Sequence, residues 1–136
     1  MTITFSVESG LSPDDFINVL KRSTLAERRP IDDRSRMVGM LENADCIATA
    51  RNEHGVLVGV ARAISDFNFC TYLSDLAVDV DYQRQGIGRQ LINKVHNACG
   101  LNTTLILLSA PKAQTYYPYI GMQPHESCWT VKPSPA

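Results

Sequence analysis

The chain has 136 residues, 44% of them apolar and 20% charged, and a formal net charge of −1. That length fits one domain whose core needs no disulfide staples. The composition excludes disorder, the charge argues against a nucleic-acid partner, and no apolar run approaches a membrane span.

In chain order, the weak alternation of Ile3–Val7 predicts a short first strand. Ser12-Pro13-Asp14-Asp15 is a helix start: the serine can cap, the proline suits the first turn, and the acids favour the positive end. Phe16, Val19 and Leu20 give that helix one apolar face. Pro30 interrupts any helix through Leu25–Ile31, and a second helix is predicted from about Asp33 to Glu42. Cys46–Ala50 and Val56–Ile64, joined by the turn Asn52-Glu53-His54-Gly55, predict an antiparallel hairpin. Thr71–Val80 predicts a strand leading into a glycine turn at 83–89. Ile87, Leu91, Ile92, Val95 and Ala98 share one face of the helix that follows, which Gly100 ends. Thr104–Leu108 is a continuous apolar run, suited to a strand covered on both faces. Strand, helix, strand at this spacing is a right-handed βαβ crossover with parallel strands. Residues 112–119 predict a short helix stopped near Gly121, and His125–Lys132 predicts a last strand. The tail Pro133–Ala136 is expected to be loose. The fold class is α/β, layered, in a single domain over 1–136.

Cys46, Cys70, Cys99 and Cys128 are widely spaced and form no CxxC pair, so no metal site is expected. Nothing at the N-terminus resembles a signal peptide. The expectation is reduced, mostly buried thiols in a cytoplasmic protein.

Gln83-Arg84-Gln85-Gly86-Ile87-Gly88 lies between a strand and a helix. Its two glycines let main-chain N–H groups approach an anion, and the helix start adds partial positive charge. Arg84 and Arg89 flank the turn, so a pyrophosphate is the natural guest. A dinucleotide fingerprint would need a third glycine where Leu91 stands, and a P-loop pattern is absent. Gln/Arg-x-x-Gly-x-Gly/Ala fits at every fixed position.

With Asp75-Leu76-Ala77-Val78-Asp79 before it and Leu91-Ile92 after it, this segment resembles the acetyl-CoA segment of the GNAT superfamily of N-acetyltransferases. Ala113-Gln114-Thr115-Tyr116-Tyr117-Pro118-Tyr119-Ile120-Gly121-Met122 is similar to a second family segment, Ala-x-x-Phe-Tyr-x-x-x-Gly-Phe. The resemblance implies a GNAT fold with a mixed central sheet of about six to seven strands around the βαβ core. It implies acetyl-CoA as donor, held by Gln83, Arg84, Gln85, Gly86, Ile87, Gly88 and Arg89, with the main chain of Leu76, Ala77 and Val78 on a bulged strand serving the pantetheine arm and the thioester. It also implies that Tyr117 protonates the leaving thiolate and that Tyr116 packs. Met122 departs from the family aromatic, and Lys112 stands where many relatives have a cofactor-touching Asn or Ser.

An amine must lose a proton before it attacks. Asp75 is the first candidate base, and its alternative role is to hold a loop or orient Tyr117; Asp66 and Glu27 are weaker candidates. His54, His96 and His125 have no partner visible in sequence. Direct attack needs no catalytic cysteine. Arg28, Arg29, Arg34 and Arg36 make the first loop basic; they form a solvated face or, if they line the mouth, favour an acceptor with a carboxylate or phosphate. Asp14, Asp15, Asp32 and Asp33 could instead supply an acidic pocket. The expected activity is transfer of acetyl to a primary amine of a small molecule. The alternatives are a protein lysine or N-terminal acetyltransferase, and a non-catalytic acyl-CoA sensor. No nucleic acid or membrane partner is expected. The resemblance leaves a homodimer open.

Overall fold

The computed structural model describes residues 2–134, the Lys112 side chain excepted; Pro135 and Ala136, half of the tail expected to be loose, lie outside the described residues. Five strands, β1 (Thr4–Val7), β2 (Cys46–Arg51), β3 (Leu57–Ser65), β4 (Cys70–Val78) and β5 (Thr104–Leu107), lie side by side in sequence order. Neighbours from β1 to β4 are antiparallel, and β4 pairs with β5 in parallel. Helices α1 (Pro13–Ser23) and α2 (Arg34–Glu42) cover one face, α3 (Ile87–Cys99) covers the other, and the short α4 (Tyr116–Tyr119) follows β5.

Local chemistry explains most of these elements. Ser12 caps α1 through the Asp15 N–H at 3.3 Å, with Pro13 first in the helix. Phe16, Val19 and Leu20 then bury completely against the sheet with Met37 of α2. Asp33 caps α2 through the Arg36 N–H at 3.1 Å. Ile87, Leu91, Ile92, Val95 and Cys99 form the buried stripe of α3 against β2, β3 and β4.

Strand β4 carries a bulge. Arg62 pairs with Asp75, but the next residue, Ala63, pairs with Leu73, so Ser74 is an extra residue. The bulge reverses the facing of the strand. Leu73 packs in the core under α3, and so do Leu76 and Val78, while Ala77 turns to the α1–α2 side.

Four expectations need correction. The sheet has five strands rather than six to seven. His125–Lys132 forms no strand; Trp129 and Val131 are almost fully exposed, and a strand without a paired neighbour has no ladder to hold it. In consequence β5 is the last strand of the sheet among the described residues, and Ile106 is 48% exposed rather than covered. The thiols also divide evenly: Cys46 and Cys99 are buried, whereas Cys70 and Cys128 are exposed. Burial and the neighbouring Cys99 push the Cys46 thiol up to about 12.

Candidate active site

β4 and β5 run in register from Cys70 opposite Thr104 to Leu73 opposite Leu107, then part. β4 continues from Ser74 to Val78 beside β3 alone. The bulge therefore falls at the first residue after the last parallel pair. The gap holds a cavity of about 50 Å3, bounded by Ser74 and Leu76 of β4, Leu107 of β5, Arg29 of the α1–α2 loop and Tyr117 of α4. One water needs only ~10–15 Å3 by the same kind of measure.

Past Val78 the chain turns through Val80–Tyr82 into the glycine segment. Asp79 anchors this exit. Its N–H donates to the Val58 carbonyl at 2.8 Å, Arg22 Nε donates to its Oδ2 at 2.8 Å, and its Oδ1 accepts from the Asp81 N–H at 2.9 Å. The Gln83 amide donates back to the Val78 carbonyl at 3.0 Å. With the Asp79 N–H turned to β3 and the Val78 carbonyl turned to Gln83, strand alternation aims the main-chain groups of Leu76 and Val78 at the side that β5 has vacated, and turns those of Ala77, expected to serve with them, to β3.

Arg84 and Gly86 both take the left-handed region, at φ 63° and 79°. A Cβ at Gly86 would meet nothing within 4 Å, so backbone conformation rather than crowding asks for glycine there. The first N–H groups of α3, from Ile87 onward, have no acceptor inside the helix, and the positive end of its dipole lies among them. That end suits an anion such as a diphosphate. Tyr116 reaches over its edge, with its hydroxyl beside Gly88. Burial pushes the Tyr116 hydroxyl up from the ordinary tyrosine value, and the Arg89 main-chain N–H and guanidinium partly offset that.

Tyr117 points into the cavity and meets Tyr116 edge to face, ring centres 5.3 Å apart. Burial, with a smaller contribution from Tyr116, also pushes its hydroxyl upward. Asp75 lies behind the cavity wall with no exposed surface. Arg29 Nε donates to its Oδ1 at 2.5 Å and Arg62 Nε to its Oδ2, so both oxygens are engaged by guanidiniums. Asp66, a weaker candidate for the base, holds the β3–β4 turn instead and accepts the N–H groups of Asn68, Phe69 and Cys70. His96 ties α3 to the Thr103 carbonyl at 2.8 Å, and His125 accepts the Ser127 N–H at 3.1 Å.

The sequence reading thus names both walls of the gap and the turn, but misses Arg22, Arg29 and Arg62 as partners of the motif carboxylates. The available signal was Arg62, a charge inside an otherwise apolar strand, since a buried arginine requires a partner.

The model of the family described as "Acetyltransferase (GNAT) domain" matches residues 16–129. The chain belongs to the GNAT acetyltransferases. A curated relative, the histone acetyltransferase TAP1 of Glycine max, is 37% identical over 78 residues, which cover 50% of this chain and 32% of that protein. The matched stretch thus spans about a third of that relative's length. Among solved structures, a GNAT family acetyltransferase of Streptococcus pneumoniae TIGR4 superposes with a TM-score of 0.70 at 19% identity, covering 97% of this chain and 100% of that one. The aminoglycoside N-acetyltransferase AAC(6')-Iy, solved in complex with CoA, superposes with a TM-score of 0.72 at 15% identity, covering 97% and 95%. These two likenesses bear on the fold. Among the described residues, no helix of this GNAT chain is long and apolar enough to cross a membrane.

Proposed function

We propose that this GNAT chain transfers the acetyl group of acetyl-CoA to a primary amine of a small molecule, by direct attack and without an acyl-enzyme. One observation carries the reading: β4 and β5 part at the Ser74 bulge, and the freed segment Leu76–Val78 joins the tyrosine-lined cavity to the open N-terminus of α3. Family membership supports the acyl chemistry, and the solved relative in complex with CoA supports the donor.

The roles follow from position. Main-chain N–H groups of the 83–89 segment bind the diphosphate, with Arg84 and Arg89 adding charge. Acetyl-CoA, when bound, supplies a thioester carbonyl open to attack. The outward main-chain groups of Leu76 and Val78 orient the arm and polarise that carbonyl; one such donor is worth roughly 3 kcal/mol. Tyr117 holds its proton through neutral pH, because burial raises it, and gives that proton to the departing sulfur. From ordinary values of about 8.5 and 10 the transfer costs about 2 kcal/mol, and the burial of Tyr117 adds to that.

Asp75 is assigned here to positioning rather than to proton removal, because both oxygens are engaged and no surface is open to water. The amine instead arrives neutral, its first proton lost to solvent; the second, released from nitrogen once the C–N bond forms, replaces the proton that Tyr117 gives to sulfur. A soybean relative is named a histone acetyltransferase, but a cavity of about 50 Å3 under the Leu25–Arg29 loop favours a small acceptor.

Titration calorimetry with CoA, followed by thiol release from acetyl-CoA with a panel of amines, tests the reading. Saturable binding and amine-dependent release are expected. Tight binding without release for any amine would make the chain a sensor, and no binding by folded protein would remove the assignment altogether.

A further inference from the structure

The α1–α2 loop brings Arg29 across the mouth of the gap, where it lines the same cavity as Tyr117. Two guanidiniums, Arg29 and Arg62, share the single carboxylate of Asp75. The cluster therefore keeps one unit of positive charge. It is also largely buried: the side chains of Asp75, Arg62 and Arg29 are 0%, 7% and 20% exposed. Charge held in such a place attracts an anion far more strongly than a solvated arginine does.

Arg62 is spent on the fold, since its nitrogens also reach the Met40 carbonyl at 3.3 Å and Ser74 Oγ at 3.0 Å. Arg29 is the member that borders the cavity. Beyond Asp75, its Nη2 donates to the Ser74 carbonyl at 2.7 Å and its Nη1 to the Arg28 carbonyl at 2.8 Å. Those bonds use one N–H of each nitrogen, and a guanidinium carries five, so each terminal nitrogen keeps a further N–H. Terminal N–H pairs of this kind are what arginine uses to read a planar carboxylate.

We infer that the acceptor of this site is an amino carboxylate, whose carboxylate docks on Arg29 while its amine faces the thioester beside Tyr117. The inference rests on the acetyltransferase reading and names its substrate class. Charge and size favour a carboxylate over a phosphate: one negative unit matches one positive unit, and a cavity of about 50 Å3 with leucine walls suits a small group. Because Arg29 and Tyr117 border one small cavity, only a few bonds separate the two ends of the acceptor. A polycationic acceptor would meet the same positive charge unfavourably.

The test uses matched pairs of amines on the full chain: glycine and glycinamide, β-alanine and its amide, phenylalanine and its amide, with 2-aminoethyl phosphate as a further arm. Thiol release from acetyl-CoA is expected to give kcat/KM at least tenfold higher for each acid than for its amide. The amide amines are the less protonated at neutral pH, so that order runs against intrinsic reactivity. Arg29→Gln is expected to erase the preference for acid over amide, and Arg29→Lys to restore part of it. In parallel, the Arg29 Nε–Hε resonance is expected to shift when the acids, but not the amides, are titrated into the CoA complex. Equal or better turnover of the amides, better turnover of the phosphate, or no Arg29 shift with any acid would overturn the inference while leaving the acetyltransferase reading intact. Failure of that reading would instead show as no CoA binding and no thiol release.

Discussion

The Tyr116 hydroxyl stands 2.5 Å from the point where a Cβ at Gly88 would project. The second glycine of the turn is therefore required by a tyrosine from α4, which packs on the first turn of α3. Gly88→Ala forces the ring aside, and overpacking of this kind costs about 1–3 kcal/mol. Tyr116→Phe removes the colliding oxygen and leaves the ring carbon at 3.3 Å. Stability by urea melts should fall in Gly88→Ala and recover largely in the double variant. Equal losses in both would show that the clash lies elsewhere.

Tyr117→Phe should lower kcat about 100-fold, within the usual range for a lost general acid, and leave CoA affinity within twofold. Tyr116→Phe should change kcat only a few fold. The sign of the pH dependence follows from the upward shift of Tyr117. Its acidic form persists past the ordinary value of about 10, so kcat/KM should climb as the free amine loses its proton and fall only above pH ~10. A fall between pH 7 and 9 would assign the essential acid to another group.

Asp75→Asn preserves shape but leaves Arg29 and Arg62 without a counter-charge. Removing one partner from a buried ion cluster costs about 3–5 kcal/mol. Denaturant unfolding should show that loss. If stability held and the low-pH limb of kcat/KM vanished instead, Asp75 would be the base after all.

The N–H groups of Phe69, Asn68 and Cys70 hold the Asp66 carboxyl down at about 2, below its ordinary 3.8. A folded value below the unfolded one means that the charged form favours the native state. That contribution is fully present above pH ~4 and disappears as pH falls through the folded value. Asp66→Asn should flatten the acid limb of stability between pH 4 and 2, read from urea midpoints at several pH values. An unchanged limb would mean that the β3–β4 turn does not depend on the charge.

The apolar stripe of α1, that of α3 up to Val95 (Cys99 buries after it, whereas the expected Ala98 is exposed), the Ser12 and Asp33 caps, the hairpin and the glycine turn were legible in the chain, because each depends on residues within a few positions of one another. The same holds for the two motifs and for Tyr117 at the gap. What stayed hidden was decided across the sheet. The resemblance implied a bulged strand, but its position at Ser74 appears only when β4 pairs with β3 and one residue is left over. The engagement of Asp75 depends on Arg29 and Arg62, which lie 46 and 13 positions away. His125–Lys132 has strand-like residues but no strand, because a ladder needs a partner edge and periodicity cannot say whether one will be there. Short-range pattern marked out the helices, most of the strands and a glycine turn of the kind that suits an anion; long-range pairing alone decided which strand-like segments join the sheet, where β4 and β5 separate and which charges lie behind the opening.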